Sequence, residues 1–451
     1  MHSVIAAIGL AVATPAAHSQ DFRDSILAIT HVNVVDATRE TPSRDQTVLV
    51  RGNRIVAVGA FRTLAIPPEA RIIAGRGKFL IPGLWDMHVH TVTPGGRETL
   101  ALYVANGVTG VRDMAGEWAQ LRAWKQEIAA GKLVGPRIIA SGPYIEGGDI
   151  PIPHILARNA TEAAAAVDSL VRLGVDFVKL HGQLTREVYL ASARAARERR
   201  IPFTGHVPRS VSVSEASDSG QRSLEHLLQI PISCTTAESL SLAPRFPIQR
   251  VLGQCRSQPL DTLFQRFVQN ETWVVPTLVA MYEIAHWPKR DLPGDAYAQH
   301  LPDTLRAFVS QIFSMPDSIP ADADVVGGAL FAKRVALVGA MHRAGVRVMP
   351  GTDAPLRNSP PGFGLHGELE LLAQAGMTPF EVLRSATLEP ARYFGMTDSS
   401  GAIARGMLAE LVLLDADPTA SVTSLRRIHA VIANGRLFDA GALEQILARR
   451  R

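Results

Sequence analysis

The chain has 451 residues, with 46 Lys and Arg against 42 Asp and Glu, a formal charge of +4. Apolar residues make up 47% and charged residues 20%, a globular composition that excludes intrinsic disorder. So weak a field argues against a dedicated nucleic-acid binder, and two cysteines exclude a disulfide-built scaffold or a Cys-rich metal module.

The segment from Val4 to Ala17 is almost wholly apolar. At about 14 residues it is shorter than the roughly 20 that span a bilayer, and it suits the apolar core of a secretory signal. Ala17-His18-Ser19 offers small residues where a signal peptidase reads. Residues 1–19 are therefore read as a signal peptide, and the protein as periplasmic or secreted from a bacterium. Met1-His2-Ser3 carries no Lys or Arg, and a buried first strand or helix is the other reading. No later apolar run is long enough for a membrane span. In an oxidising compartment Cys234 and Cys255 could close a loop of about 20 residues; two free buried thiols are equally compatible.

From Ser25 to Leu80 the runs AITHVNVVD, QTVLVRGNRIVAVG and ARIIAGRGKFLIPG alternate Val and Ile with polar residues, as strands do. Arg51-Gly52-Asn53-Arg54 between two of them reads as a tight hairpin turn. The same texture returns in AELVLLDADP and RIHAVIANGRLFD, with an Asn434-Gly435 turn. Residues 22–80 and 396–445 are accordingly assigned to one small β-sandwich domain, since chain ends often lie close together.

The middle, residues 81–395, alternates short β-rich runs with helical stretches. The runs are LWDMHVH, TGVRDM, RIIASG, FVKLHG, PFTGHV, SLEHLL, TWVVPT and VRVMPGTDA. Amphipathic segments such as ATEAAAAVDSLVRLG and TREVYLASARAARERR lie between several of them. Eight strand-then-helix units over about 310 residues predict an α/β fold, a (β/α)8 TIM barrel. A Pro-rich, partly helical insertion at about 235–324 is expected on the active-site side.

Chemistry in such a barrel sits at the C-terminal ends of its strands. His88 and His90 end the first run two residues apart, so they share a face and can grip one metal. Lys179 lies in the fourth. Burial costs a bare ammonium about several kcal/mol and drives its pKa down. A neutral lysine amine can add CO2, and the resulting carbamate is an anionic ligand able to bridge two cations. His206 ends the fifth run, His226 lies in the sixth and Asp353 in the eighth. Each is a good ligand for a borderline divalent ion, with Zn, Mn, Co or Ni preferred to Ca. Taken singly, each also has a bland explanation: a satisfied core histidine, or a lysine reaching solvent or pairing with Asp176.

The PGLWDMHVH segment, the strand lysine, the two later histidines and the GTDA segment resemble the metal-dependent amidohydrolase superfamily. The branch they look most like contains imidazolonepropionase-like proteins, Xaa-Pro and Xaa-Arg dipeptidases and ochratoxin-type amidases. LHGELELLAQAGMTPFEVLRSATLEPA, from Leu365 on, is similar to the stretch after the last ligand in that branch. The resemblance implies that His88, His90 and Asp353 hold the more buried of two divalent ions, zinc foremost. It implies that His206 and His226 hold the other, and that Lys179 bridges them as a carbamate. A bridging hydroxide would attack the carbonyl of an amide, with Asp353 as general base and then general acid.

His181, two residues after Lys179, should share its face and could donate to the developing oxyanion; relatives often carry Tyr there. Tyr144, His154 and Arg209 are read as rim-loop residues that could touch substrate, Arg209 through a substrate carboxylate. A solvated loop arginine is as good a reading. The expected substrate is a small molecule, a dipeptide or N-acyl amino acid. A lactonase or phosphotriesterase-like activity is the alternative on the same ligands, and a non-catalytic scaffold is disfavoured by six filled ligand positions. No nucleic-acid partner is expected, and a homo-oligomer is compatible with the sequence.

Overall fold

The computed structural model describes residues 26–149, 152–230, 257–286, 291–312 and 323–448. The signal segment, Cys234 and Cys255 lie outside them, and the insertion at about 235–324 is described only in part.

Both chain ends enter one eight-stranded sheet. From the N-terminal side come β1 (Ile26–Val34), β2 (Ser43–Arg51), β3 (Arg54–Ala60), β4 (Arg71–Ala74) and β5 (Phe79–Pro82). Next in the chain come β6 (Leu84–Val89), β7 (Val108–Asp113), β8 (Arg137–Ala140), β9 (Tyr144–Glu146), β10 (His154–Leu156), β11 (Val178–Leu180), β12 (Phe203–Gly205), β13 (Ser223–Glu225) and β14 (Trp273–Val275). The C-terminal part adds β15 (Leu411–Leu414), β16 (Ile428–Ala433) and β17 (Arg436–Phe438) to the first sheet. Its order is β17-β16-β15-β5-β1-β2-β3, with β4 pairing β1. The seam between the ends is the antiparallel pair of β15 and β5, Leu411 opposite Pro82 and Val412 opposite Ile81.

Alternation decides this pairing. Leu27, Ile29, Val48, Val50, Leu80, Leu411, Leu413 and Ile432 bury in a core of their own, each from an every-second-residue pattern. Gly52 and Asn53 turn β2 into β3. Asn434 and Gly435, both left-handed at φ 48° and 74°, turn β16 into β17. The strands expected to form a small β-sandwich join here in one continuous sheet.

Only Gly83 separates β5 from β6, so one extended run passes from this sheet into the parallel part of the molecule. There β6-β7-β8 form one parallel group and β10-β9-β11-β12-β13-β14 another. Helices alternate with the strands. Ala160–Leu173 starts at Asn159, whose side chain accepts from Glu162 N, and stops at left-handed Gly174. Arg186–Glu198 starts at Thr185, which accepts from Val188 N. These are the two amphipathic segments the sequence marks.

Two features differ from the sequence reading. The run VRVMPGTDA forms no strand; it makes isolated bridges, Val348 to Val274 and Ala354 to Val89. Pro350 has no N–H to contribute to a ladder. Gly351 lies so close to β6 that a Cβ there would sit 2.8 Å from His88 Cβ. The segment nonetheless ties β14 to β6, through Met349 N to Val274 O at 3.0 Å and Asp353 N to His88 O at 2.8 Å. Conversely, β9 and β10 are strands the sequence hid, three residues each among Gly147, Gly148, Pro151 and Pro153. They carry Tyr144 and His154, which therefore stand in register on paired strands and not on rim loops.

Candidate metal centre

The site gathers where β6, β11, β12 and β13 end and the 346–354 segment passes them. His88 is fully buried at the end of β6, and His90 follows two residues on, partly exposed. Asp353 Oδ1 lies 3.3 Å from His88 Nε2 and 3.3 Å from His90 Nε2. One ligand atom from each of the three lies within 4.8 Å of the others. Asp353 Oδ2 is 3.9 Å from His226 Nδ1, so the carboxylate spans two sides of the site. The His226 ring is 4.4 Å from that of His88 and 4.8 Å from that of His206, centroid to centroid.

The backbone is shaped to achieve this. Asp353, His226, Leu227 and Thr277 all have positive φ, between 47° and 67°, which non-glycine residues rarely adopt. Such strain costs about 1–3 kcal/mol per residue and concentrates at functional sites.

Electrostatics favour neutral imidazoles around one anion. Burial and the neighbouring His226 push His88 well below its usual pKa, and burial with His226 and His181 does the same to His206. Burial pushes His226 down to about 4. Burial alone would raise Asp353, yet His226, His88 and His90 hold its carboxyl well below the usual range. Lys179 is buried, and desolvation pushes its amine down to about 8 although Asp353 and Glu225 act against the shift. Its charge is felt at His88, His206 and His226 alike, and its Nζ lies 5.5 Å from the Tyr144 ring centroid.

The donor set fits divalent cations. His88 Nε2 and His206 Nε2 are buried without a hydrogen-bond partner among the described residues. Buried ring nitrogens left without a partner are costly unless a ligand meets them. With one carboxylate and neutral imidazoles alongside, the set suits zinc-like ions.

The other candidates lie around this core. His181 follows β11 and stacks between Tyr144, at 4.6 Å, and His206, at 4.3 Å; its Nδ1 is hydrogen-bonded to buried Glu146. Tyr144 is buried and its hydroxyl has no partner among the described residues. His154 is one ring further out, 6.4 Å from Tyr144, with Nδ1 on Ile152 O at 2.7 Å. Arg209 is exposed and lines a cavity of about 780 Å3 together with His206, Gln183, Val213, Leu227 and Ile230.

Several supporting residues escaped the sequence reading. Thr277 Oγ1 meets His226 Nδ1 at 2.8 Å, and Asp86 accepts from Thr352 Oγ1 at 2.6 Å, pinning the segment that carries Asp353. Glu225 meets His88 Nδ1 at 2.8 Å, and Arg112 grips Glu225. The available signal was a charge inside a short apolar strand: the Arg of TGVRDM, the Glu of SLEHLL and the Glu that ends β9.

Residues 290–438, about a third of the chain, match the amidohydrolase family. Over 67 residues the chain is 39% identical to the imidazolonepropionase of Alkaliphilus metalliredigens (strain QYMF), a match covering 14% of this chain and 16% of that protein. Among solved structures, bottromycin amidohydrolase superposes with a TM-score of 0.72 at 22% identity, covering 95% of this chain and 92% of that one. A Xaa-Pro dipeptidase with methionine bound in its active site superposes with a TM-score of 0.68 at 19% identity, covering 92% and 100%. The shared fold is TIM-barrel-like α/β. The likeness to the amidohydrolase family thus lies in residues 290–438, while the fold is shared along nearly the whole chain.

Proposed function

We propose that the protein is a binuclear hydrolase of an amide bond in a dipeptide or N-acyl amino acid. The observation that carries this reading is the pair of buried imidazole nitrogens without a hydrogen-bond partner among the described residues, His88 Nε2 and His206 Nε2, in one cluster with buried Lys179 and Asp353. His88, His90 and Asp353 would hold one cation, and His206 and His226 the other. Lys179 would join them as a carbamate, its amine adding CO2 and releasing one proton. Divalent cations, zinc foremost, would supply there an acidified water and a polarised carbonyl.

The chain's own groups then do the following. Asp353, kept anionic by three imidazoles, takes the proton of the attacking water and returns it to the departing nitrogen. An amine leaves poorly until protonated, so the second transfer matters most for amides. His181, oriented by Glu146, stands beside His206 where an oxyanion would develop. Tyr144 offers its unpartnered hydroxyl to the same region. Arg209 has no carboxylate partner among the described residues and would take a substrate carboxylate in the cavity of about 780 Å3.

The parallel groups joined through the 346–354 segment support a closed (β/α)8 barrel over 81–395, with 22–80 and 396–445 as the flanking β domain. Export through the N-terminal apolar segment belongs to the same reading, and mass determination of the secreted chain tests it.

The decisive experiment is a substrate panel of dipeptides, N-acyl amino acids, lactones and a phosphotriester, run alongside metal stoichiometry with and without bicarbonate. Turnover of amides with two ions per chain, the second dependent on bicarbonate, is the expected outcome. Turnover confined to lactones or phosphotriesters would overturn the amide assignment. One ion regardless of bicarbonate would overturn the carbamate bridge.

A further inference from the structure

Below the ligands, the interior of the parallel sheet is polar where a barrel would ordinarily carry Val, Ile and Leu. Lys179 stands opposite Thr204 in the β11–β12 register, and Thr204 Oγ1 is hydrogen-bonded to Ser223 Oγ. Arg112, the penultimate residue of β7, crosses this layer and is fully buried. Its Nη2 lies 2.9 Å from each oxygen of Glu225, its Nη1 donates to Ser223 Oγ at 2.8 Å and Tyr393 OH at 3.0 Å, and its Nε donates to Met87 O at 2.6 Å. The rings of Phe177 and Tyr393 flank the guanidinium at 5.8 and 5.2 Å.

Glu225 is the centre of this arrangement. Its Oε1 accepts from Arg112 and from Ser223 Oγ at 2.6 Å, with Thr204 Oγ1 also in contact at 2.9 Å; its Oε2 accepts from Arg112 and faces His88 Nδ1 at 2.8 Å. A carboxylate offers about four lone-pair directions, and five contacts leave none open for a cation. Arg112 has only hydrogens to give. Arg112 and Ser223 direct their hydrogens at Glu225, which faces His88 as an acceptor, and the matching role for His88 is to donate from Nδ1. Its Nε2 is then bare, and that is the atom buried beside Asp353 without a partner.

We propose that Arg112 and Glu225 are positioning residues: their buried pair holds His88 in the tautomer protonated on Nδ1, leaving the Nε2 lone pair for a divalent cation. Arg112 adds a second handle through the carbonyl of Met87, the residue before His88 in β6. The side chain and backbone of one ligand are thereby set by one guanidinium, whose planar fork a lysine could not reproduce. This inference rests on the reading of His88 as a ligand, and it concerns the ring nitrogen rather than the bond hydrolysed.

The test is made on full-length protein stripped of metal and labelled with 15N-histidine, with His88→Asn used to assign the His88 signals. Wild type should show the His88 proton on Nδ1. In Glu225→Gln the amide oxygen accepts from Arg112 and the amide N–H turns toward the ring, so the proton should move to Nε2. Competition with a chromogenic chelator should then show zinc binding weakened 10–100-fold, the usual cost of losing such a partner. A wild-type His88 protonated on Nε2 overturns the proposal without any variant, so a Glu225→Gln chain that fails to fold does not shelter it. A swapped tautomer with unchanged zinc affinity overturns it too. If wild type shows the expected tautomer and the variant the expected zinc loss, while no member of the substrate panel is hydrolysed, the pairing stands and the hydrolase reading falls.

Discussion

Asp353 stands in two relations at once, with one oxygen toward His88 and His90 and the other toward His226. The cluster of imidazoles keeps it an acceptor in spite of its burial. Exchange to Asn preserves size and hydrogen bonding but removes the ability to take and return a proton. Asp353→Asn should therefore lower kcat by about 10²–10⁴ on the preferred amide, the usual contribution of a general acid–base group. The thermal unfolding midpoint should stay close to that of wild type. Near-normal kcat in a variant of normal metal content would contradict the assigned role.

At the scale of the element, the helix Leu278–Ala285 shows how the site reshapes its supports. Thr277 is its N-cap residue, yet it makes no side-chain cap hydrogen bond, because its hydroxyl is engaged with His226. Glu368, from the helix Phe363–Gln374, reaches across instead and accepts from Val279 N at 2.8 Å. The substitute cap is fully buried, and its Oε1 has no partner among the described residues. Burial raises its pKa to about 8, with the backbone hydrogen bonds of Val279 and Leu278 opposing the shift. Between its unfolded value, about 4.3, and this folded value, the folded chain holds a proton that the unfolded chain has lost. Stability from this group is thus full at low pH and falls as pH rises through that window. Glu368→Gln keeps the accepting oxygen and cannot ionise. The variant should match wild type in melting temperature below about pH 4 and exceed it increasingly toward pH 8. A constant difference across that range would show that Glu368 does not titrate as its surroundings require.

For the whole molecule, the residues proposed as ligands lie on or just after β6, β11, β12 and β13 and in the 346–354 segment, separated by up to about 260 residues of chain. A cation bound to them cross-links the fold and stabilises the native state alone. At a free concentration a hundredfold above Kd the gain is about 2.7 kcal/mol. Chelation should lower the unfolding midpoint by several degrees, and zinc should restore it. A midpoint indifferent to chelator would mean that the folded chain binds no cation tightly. The same long-range character holds in the β domain, where β5 and β15 pair across more than 300 residues and bring the two ends of the chain into one sheet. No described helix is long and apolar enough to cross a membrane.

The sequence by itself determined the pieces with local causes. Alternation marked the strands of the terminal sheet, helical periodicity marked the surface helices, and the positions of His88, His90, Lys179, His206, His226 and Asp353 at the ends of β-rich runs pointed to one locus. What it could not supply was anything set by contacts between elements. The strand expected over VRVMPGTDA became a tie between β14 and β6, because Pro350 cannot donate and Gly351 presses against His88. Tyr144 and His154 became paired strand residues, because β9 and β10 are too short to carry a pattern. Above all, the partners of the ligands were invisible. Arg112 and Glu225 are 113 residues apart, and His88 and Glu225 are 137 apart. A tautomer or an orphaned nitrogen is a property of what tertiary packing places around a ring, and no spacing along the chain encodes it.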